Sequence, residues 1–210
     1  MKRKVYWKDL FHSFTESKGR FLSILTLMML GSLALVGLKV TTPNMHRTAN
    51  QFIQQEEMLD LAVMGDLGLD QADQEELEGL SGTRVEFGSL TDVTVKGTGK
   101  AIRLFSPPKS ISSFRVTKGR LPKNEEELAL ASFWSGRYQI GDRFTVEEKV
   151  GEKSVLKRKH FTIVGFVQSS EMWSQKNLGS ARSGIGNLDA YALVSKEVFT
   201  NKLPMIARIL

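Results

Sequence analysis

Residues 21–38 read FLSILTLMMLGSLALVGL, eighteen positions without a charge, bracketed by Arg20 and Lys39. At about 1.5 Å per residue a helix of that length covers roughly 27 Å, close to the hydrocarbon thickness of a bilayer. Ser23, Thr26 and Ser32 are tolerable there because a hydroxyl can bond back to its own helix carbonyls. Phe21, Leu30, Gly31 and Leu38 mark the expected membrane span, with Gly31 and Gly37 of a kind commoner in membrane helices than in soluble ones. Ahead of it, Trp7, Leu10, Phe11 and Phe14 fall at i, i+3, i+4 and i+7, one face of a helix, with Lys4, Lys8, Lys18 and Arg20 around it. That pattern fits either a helix lying in anionic membrane lipid or an ordinary basic leader that contains aromatics.

Beyond the span the periodicity changes. Residues 43–59 predict a helix leaving the membrane, with Pro43 in its first turn and Met45, Ala49, Phe52, Ile53 and Leu59 as a partial apolar stripe. Residues 60–64 predict a short strand, and 70–80 an acidic helix with Asp70 as N-cap and Gly82 as its stop. Residues 84–87, 91–96, 101–105, 127–131, 143–147, 154–156, 160–166 and 190–195 alternate or are rich in β-branched residues, and predict strands. Residues 196–201 predict a helical turn. The expected fold is α+β: one N-terminal transmembrane helix, then an antiparallel or mixed sheet with one wet face. Residues 206–210 (IARIL) read as an unpaired apolar strand, and so predict a domain that is incomplete at its C-terminal end.

Charge sharpens this picture. The chain has 210 residues, with 29 Lys+Arg against 23 Asp+Glu. Residues 1–40 hold seven positive and two negative side chains, and the other 170 residues are nearly balanced. The basic excess therefore sits on a short leader beside an apolar run, which argues against a nucleic-acid partner. Six positive residues precede the span. They predict a cytoplasmic N-terminus and an extracytoplasmic position for everything after about Lys39. The leader is long, the apolar run exceeds a signal peptide's, and no small-residue cleavage site follows, so the span is expected to remain uncleaved.

Chemistry-bearing motifs are sparse. There is no cysteine, which excludes disulfides, thiolate metal sites, a Cys nucleophile and lipoprotein acylation. His12, His46 and His160 show no metal-ligand spacing. Gly97-Thr98-Gly99-Lys100 fails the phosphate-loop pattern and reads as a tight hairpin turn. The acidic runs 125–127, 147–148 and 73–78 read as solvated faces or turns, and no catalytic pair stands out. No catalytic, cofactor-binding or metal-binding residue is assigned, and no enzymatic activity is expected. Residues 168–187 (QSSEMWSQKNLGSARSGIGN) form a long stretch between two strands, and loops of that length generally do something. Met172, Trp173, Gly179, Gly184 and Gly186 mark it as a candidate partner or substrate loop; the alternative is a tryptophan folded back on its own sheet.

Several segments together resemble a known family. Residues 8–45 (KDLFHSFTESKGRFLSILTLMMLGSLALVGLKVTTPNM) look like the opening of FtsX-like/MacB-like ABC transporter permeases. There a K-D…S-x-G-R-F-L-S-I run enters the first membrane helix and leaves it towards P-D-M, and Asn44 here replaces the acidic residue. Gly119-Arg120-Leu121-Pro122 with Glu126-Glu127-Leu128-Ala129-Leu130 is similar to the family's G-R-x-P…E-I-A-L segment. Ile140-Gly141-Asp142 matches its I-G-D turn. Residues 161–167 (FTIVGFV), Gly184-Ile185-Gly186 and Ala190-Tyr191 resemble its later segments. The resemblance implies a MacB-like extracytoplasmic core domain on the first helix of a permease in the cell membrane. It also implies a cytoplasmic ABC ATPase subunit and further permease helices as partners, with no cofactor of its own. Lipids, lipoproteins and peptides are the substrate classes it points to. The competing reading is a single-pass, membrane-anchored extracellular binding or scaffold protein that works without an ATPase.

Overall fold

The computed structural model describes His12 and residues 17–65, 67–149, 154–172, 174–200 and 203–210. Two compact units result, Met1–Phe52 and Ile53–Leu210. The leader face of Trp7, Leu10, Phe11 and Phe14 lies outside the described residues.

One helix, α1, runs unbroken over Lys18–Gln55. It is long and apolar enough to cross a membrane, and none of its residues is buried. The Ser23 and Thr26 hydroxyls donate to the Gly19 and Leu22 carbonyls at 2.8 Å each, which shields them along an apolar surface. The expected second helix starting at Pro43 is corrected: Pro43 lies inside α1. Its ring imposes a helical φ, and the only donor lost is its own N–H, so the turns on either side keep register. At 38 residues α1 is about 57 Å long, and residues 39–55 extend it roughly 25 Å past the last apolar turn.

The second unit holds β1 (Leu61–Met64), α2 (Gln71–Glu78), β2 (Val85–Gly88), β3 (Leu90–Val95), β4 (Ala101–Phe105) and β5 (Phe114–Gly119). These are followed by β6 (Glu127–Ala131), β7 (Arg143–Glu147), β8 (His160–Ser169), β9 (Leu188–Val194) and β10 (Ile206–Ile209). It is an α+β domain with a mixed sheet. Asp70 caps α2 as expected, exchanging bonds with Asp73 in a capping box, but the helix stops at Gly79 rather than Gly82.

The larger sheet has the order β5-β8-β6-β9-β4-β3-β7, and β7 also pairs with β8. That last pairing closes six strands into a ring. The ten-residue β8 makes it possible: its first residues pair with β7, and its last residues pair with β5. Closure also explains why the expected wet face is missing from the central strands. Leu128, Ala129, Leu130 and Ala131 on β6, and Ala190, Ala192, Leu193 and Val194 on β9, are all fully buried on both faces. Such strands read as continuous apolar runs rather than as alternating ones. Leu104, Phe144, Ile163 and Phe166 fill the same core.

The smaller sheet has the order β1-β10-β2, antiparallel throughout. The expectation of an unpaired strand at residues 206–210 is therefore corrected. β10 is the central strand, with Ala207 opposite Val63 on one side and Phe87 on the other. The expected strand at 154–156 is reduced to one bridge, Leu156 to Phe199, because the Glu148 carboxylate takes the Val155 and Leu156 N–H groups at 2.6 and 3.0 Å. β5 was not expected from the sequence.

Candidate functional site

The span residues Phe21, Leu30 and Leu38 are 45%, 61% and 72% exposed, so α1 presents its apolar side chains outward all round. Gly31 leaves a shallow step on that surface, with nothing within 4 Å of where a Cβ would sit.

The long loop is shorter than expected, because β8 takes Gln168 and Ser169. Its first part is structural. Met172 packs against the core, and Trp173 lies outside the described residues. Its second part is a tight hairpin: Ser180 bridges Asn187, and Gly179, Gly184 and Gly186 all have positive φ. Gly184 is required for a second reason, since a Cβ there would sit 2.8 Å from the Gly99 carbonyl oxygen in the β3–β4 turn.

What seats the hairpin is an ion pair absent from the sequence reading. Asp92 on β3 and Arg103 on β4 stand directly opposite each other. Arg103 donates through Nε at 2.6 Å and Nη2 at 2.8 Å to the two Asp92 carboxylate oxygens, a bidentate fork with the Asp92 side chain only 2% exposed. The remaining capacity of the pair goes to the loop. Arg103 Nη2 donates to the Ser180 carbonyl, the Arg182 N–H donates to Asp92 Oδ2, and the Ser183 hydroxyl donates to the Asp92 carbonyl. The pair and hairpin form one wall of a cavity of about 780 Å³. Met64, Leu67, Leu90, Val155 and Met205 supply its apolar lining. Gly179, Gly184 and Gly186 thus shape the hairpin at this wall, while Met172 belongs to the core beneath.

A second ion pair ties the same loop to the smaller sheet. Arg208 on β10 is fully buried, and its Nε donates to Glu171 Oε1 at 2.5 Å. Its Nη1 and Nη2 have no hydrogen-bond partner among the described residues, and the guanidinium carbon lies 5.8 Å from the Phe105 ring centroid. Gly88 makes room for it: a Cβ there would come 2.8 Å from Nη1. The sequence signal was a lone arginine inside IARIL, which demands a carboxylate wherever that strand is buried.

The acidic run 73–78 is solvated as expected, but Glu127 and Glu148 in the other two runs are engaged by loops, as are the isolated Glu56 and Glu86. Burial works against the charged form of Glu86, yet the N–H groups of Ile111, Lys109 and Ser110 outweigh it and hold the carboxyl below its ordinary value. Glu148 is held low in the same way, its burial outweighed by Ser154, Lys159 and the Val155 and Leu156 N–H groups. The Ser113 hydroxyl and then Arg115 lower Glu56. Glu127, gripped by Arg120 and by the Lys123 N–H, is pushed down to about 2. Glu56, Glu86 and Glu127 each pin a loop to a strand, and Glu148 ties the end of β7 to residues 154–156.

A folded-state value below the unfolded value of 4.5 gives stability that is present above pH 4.5 and lost as pH falls from there towards about 2. Melting temperature measured by circular dichroism should therefore be flat from pH 7 to 5 and fall steeply below. Glu127→Gln should have a lower melting temperature at pH 7 and a shallower acid decline. A melting temperature unchanged between pH 5 and 3 would contradict these loop contacts.

Among the described residues no group of three or more His, Asp or Glu side chains is placed to hold a metal ion. Comparison of the chain with protein-family models, with curated proteins and with solved structures finds no match in any of the three.

Proposed function

We propose that this chain is the N-terminal part of an FtsX-like/MacB-like permease subunit of an ABC transporter, its first membrane helix together with its extracytoplasmic MacB-like domain. In this reading it has no catalytic machinery of its own. A separate cytoplasmic ATPase and further permease helices complete the transporter, and the outer domain handles a lipid, lipoprotein or peptide substrate. The observation that carries the reading is α1: a single helix that is apolar over residues 21–38 and continues some 25 Å past them. A continuous helix of that kind is a stiff link through which motion could pass to an outer domain. The cavity walled by the Asp92–Arg103 pair is the place in the domain where a substrate would be received.

Topology can be tested cleanly because the chain has no cysteine to interfere. A membrane-impermeant maleimide should label Thr98→Cys, on the exposed β3–β4 turn, in intact cells. It should label Ser17→Cys only after lysis. The opposite pattern would overturn the assignment of the sheet domain to the outside.

A further inference from the structure

We propose that the sheet domain associates with a second copy of the chain, the basic ridge along β5 of one copy receiving the acidic helix α2 of the other. This inference is independent of the transport reading.

The ridge spans residues 109–123, which hold Lys109, Arg115, Lys118, Arg120 and Lys123 and no acidic residue. β5 ends the order of the larger sheet, so its outer edge has no neighbouring strand among the described residues. Five of its six residues are exposed, and Val116 and Leu121 leave apolar surface between the cations. Arg115 and Arg120 are committed to Glu56 and Glu127, but Lys109, Lys118 and Lys123 form no ion pair among the described residues. The edge is poorly suited to another strand. A bulge interrupts its register between Val116 and Lys118, and a bulge with a lysine is how sheets block strand addition. What the ridge fits is a negatively charged element that needs no ladder of backbone bonds, and a helix is such an element.

The same chain carries one. α2 and its cap hold Asp70, Asp73, Glu75, Glu76 and Glu78 with no basic residue, and no residue of α2 is buried. None of these five carboxylates forms an ion pair among the described residues. Three of them are locally misplaced. Glu75, Glu76 and Glu78 lie in the last turn, where the helix dipole is negative, and no basic residue is there to offset them. A cationic surface from outside relieves that repulsion. α2, about 12 Å long, fits within the length of β5, about 20 Å. Leu80, 45% exposed at the end of α2, supplies an apolar contact for Val116 or Leu121.

A contact of this kind is small and electrostatic, so it is weak and strongly dependent on salt. The test uses the full chain in non-ionic detergent micelles, with molar mass measured by light scattering. At low ionic strength, where charges act over about 30 Å, the protein mass should exceed one chain; in 1 M salt, where the range is about 3 Å, it should fall to one chain. The triple variants Glu75→Lys/Glu76→Lys/Glu78→Lys and Lys109→Glu/Lys118→Glu/Lys123→Glu should each stay monomeric at low salt. Mixed in equal amounts, they should associate again, because each supplies the surface that matches the other's altered one. A wild-type chain that is monomeric at low salt, a mass indifferent to salt, or a mixture that stays monomeric would overturn the proposal.

Discussion

Glu171→Ala should destabilise the sheet domain by about 3–5 kcal/mol, the range for removing one partner of a buried ion pair. The reason lies in Arg208. It is fully buried on the central strand of the smaller sheet, and its Nε bond to Glu171 is its hydrogen-bonded contact with a countercharge among the described residues. Without Glu171 the guanidinium keeps, among the described residues, the Phe105 ring, which is far weaker than a carboxylate in a dry site. For a domain of this size the loss corresponds to a fall in melting temperature of roughly 10 °C. The companion variant Glu171→Leu/Arg208→Met separates charge from packing: it removes both charges, keeps apolar volume, and should recover most of the loss. Thermal melts of the full chain in non-ionic detergent decide the matter. A Glu171→Ala protein within about 0.5 kcal/mol of wild type would mean that the pair does not hold the loop to β10.

Leu30→Arg should be the most damaging change in α1. Leu30 is close to the middle of residues 21–38, where an arginine costs about 3 kcal/mol of insertion free energy. That is on the order of a hundredfold shift away from the membrane. Alkaline extraction of membranes should leave wild type in the pellet and move much of the variant to the supernatant. The control is Thr48→Arg, in the extension beyond the apolar turns, which should stay in the pellet. Equal membrane retention of Leu30→Arg and wild type would count against the span. The two predictions act on different units, so neither change should alter the other's readout.

The parts of this fold that were legible in the sequence are those set by local pattern. Eighteen uncharged residues announce a long apolar helix, and alternation marks strands such as 143–147. The Asp70 cap could be read from its spacing to Asp73. Pro43 misled because a proline inside a helix usually ends it, whereas here the helix continues across it. β5 escaped notice because an edge strand with one buried residue has no apolar face to display. β10 looked unpaired because both of its partners, β1 and β2, lie far upstream, and antiparallel pairing across such distances leaves no local mark.

The candidate site shows the same division. The hairpin glycines Gly179, Gly184 and Gly186 were visible as turn residues, but not what they turn towards. The Asp92–Arg103 pair could have been inferred by folding residues 90–105 into a hairpin about the Gly97–Gly99 turn, which sets the two opposite each other. The Glu171–Arg208 pair could not, since its members are 37 residues apart and belong to different elements. The cavity is assembled from seven separated stretches of chain, and no spacing rule reaches that far.

The central claim is that this chain works as part of an ABC permease, and co-purification tests it most directly. The full chain, tagged and extracted from native membranes in non-ionic detergent, would be captured and its companions identified by mass spectrometry against an untagged control. The account predicts enrichment of an ABC ATPase together with a polytopic membrane protein supplying the remaining permease helices. Capture of the chain with neither would contradict it and leave a membrane-anchored domain that acts without an ATPase.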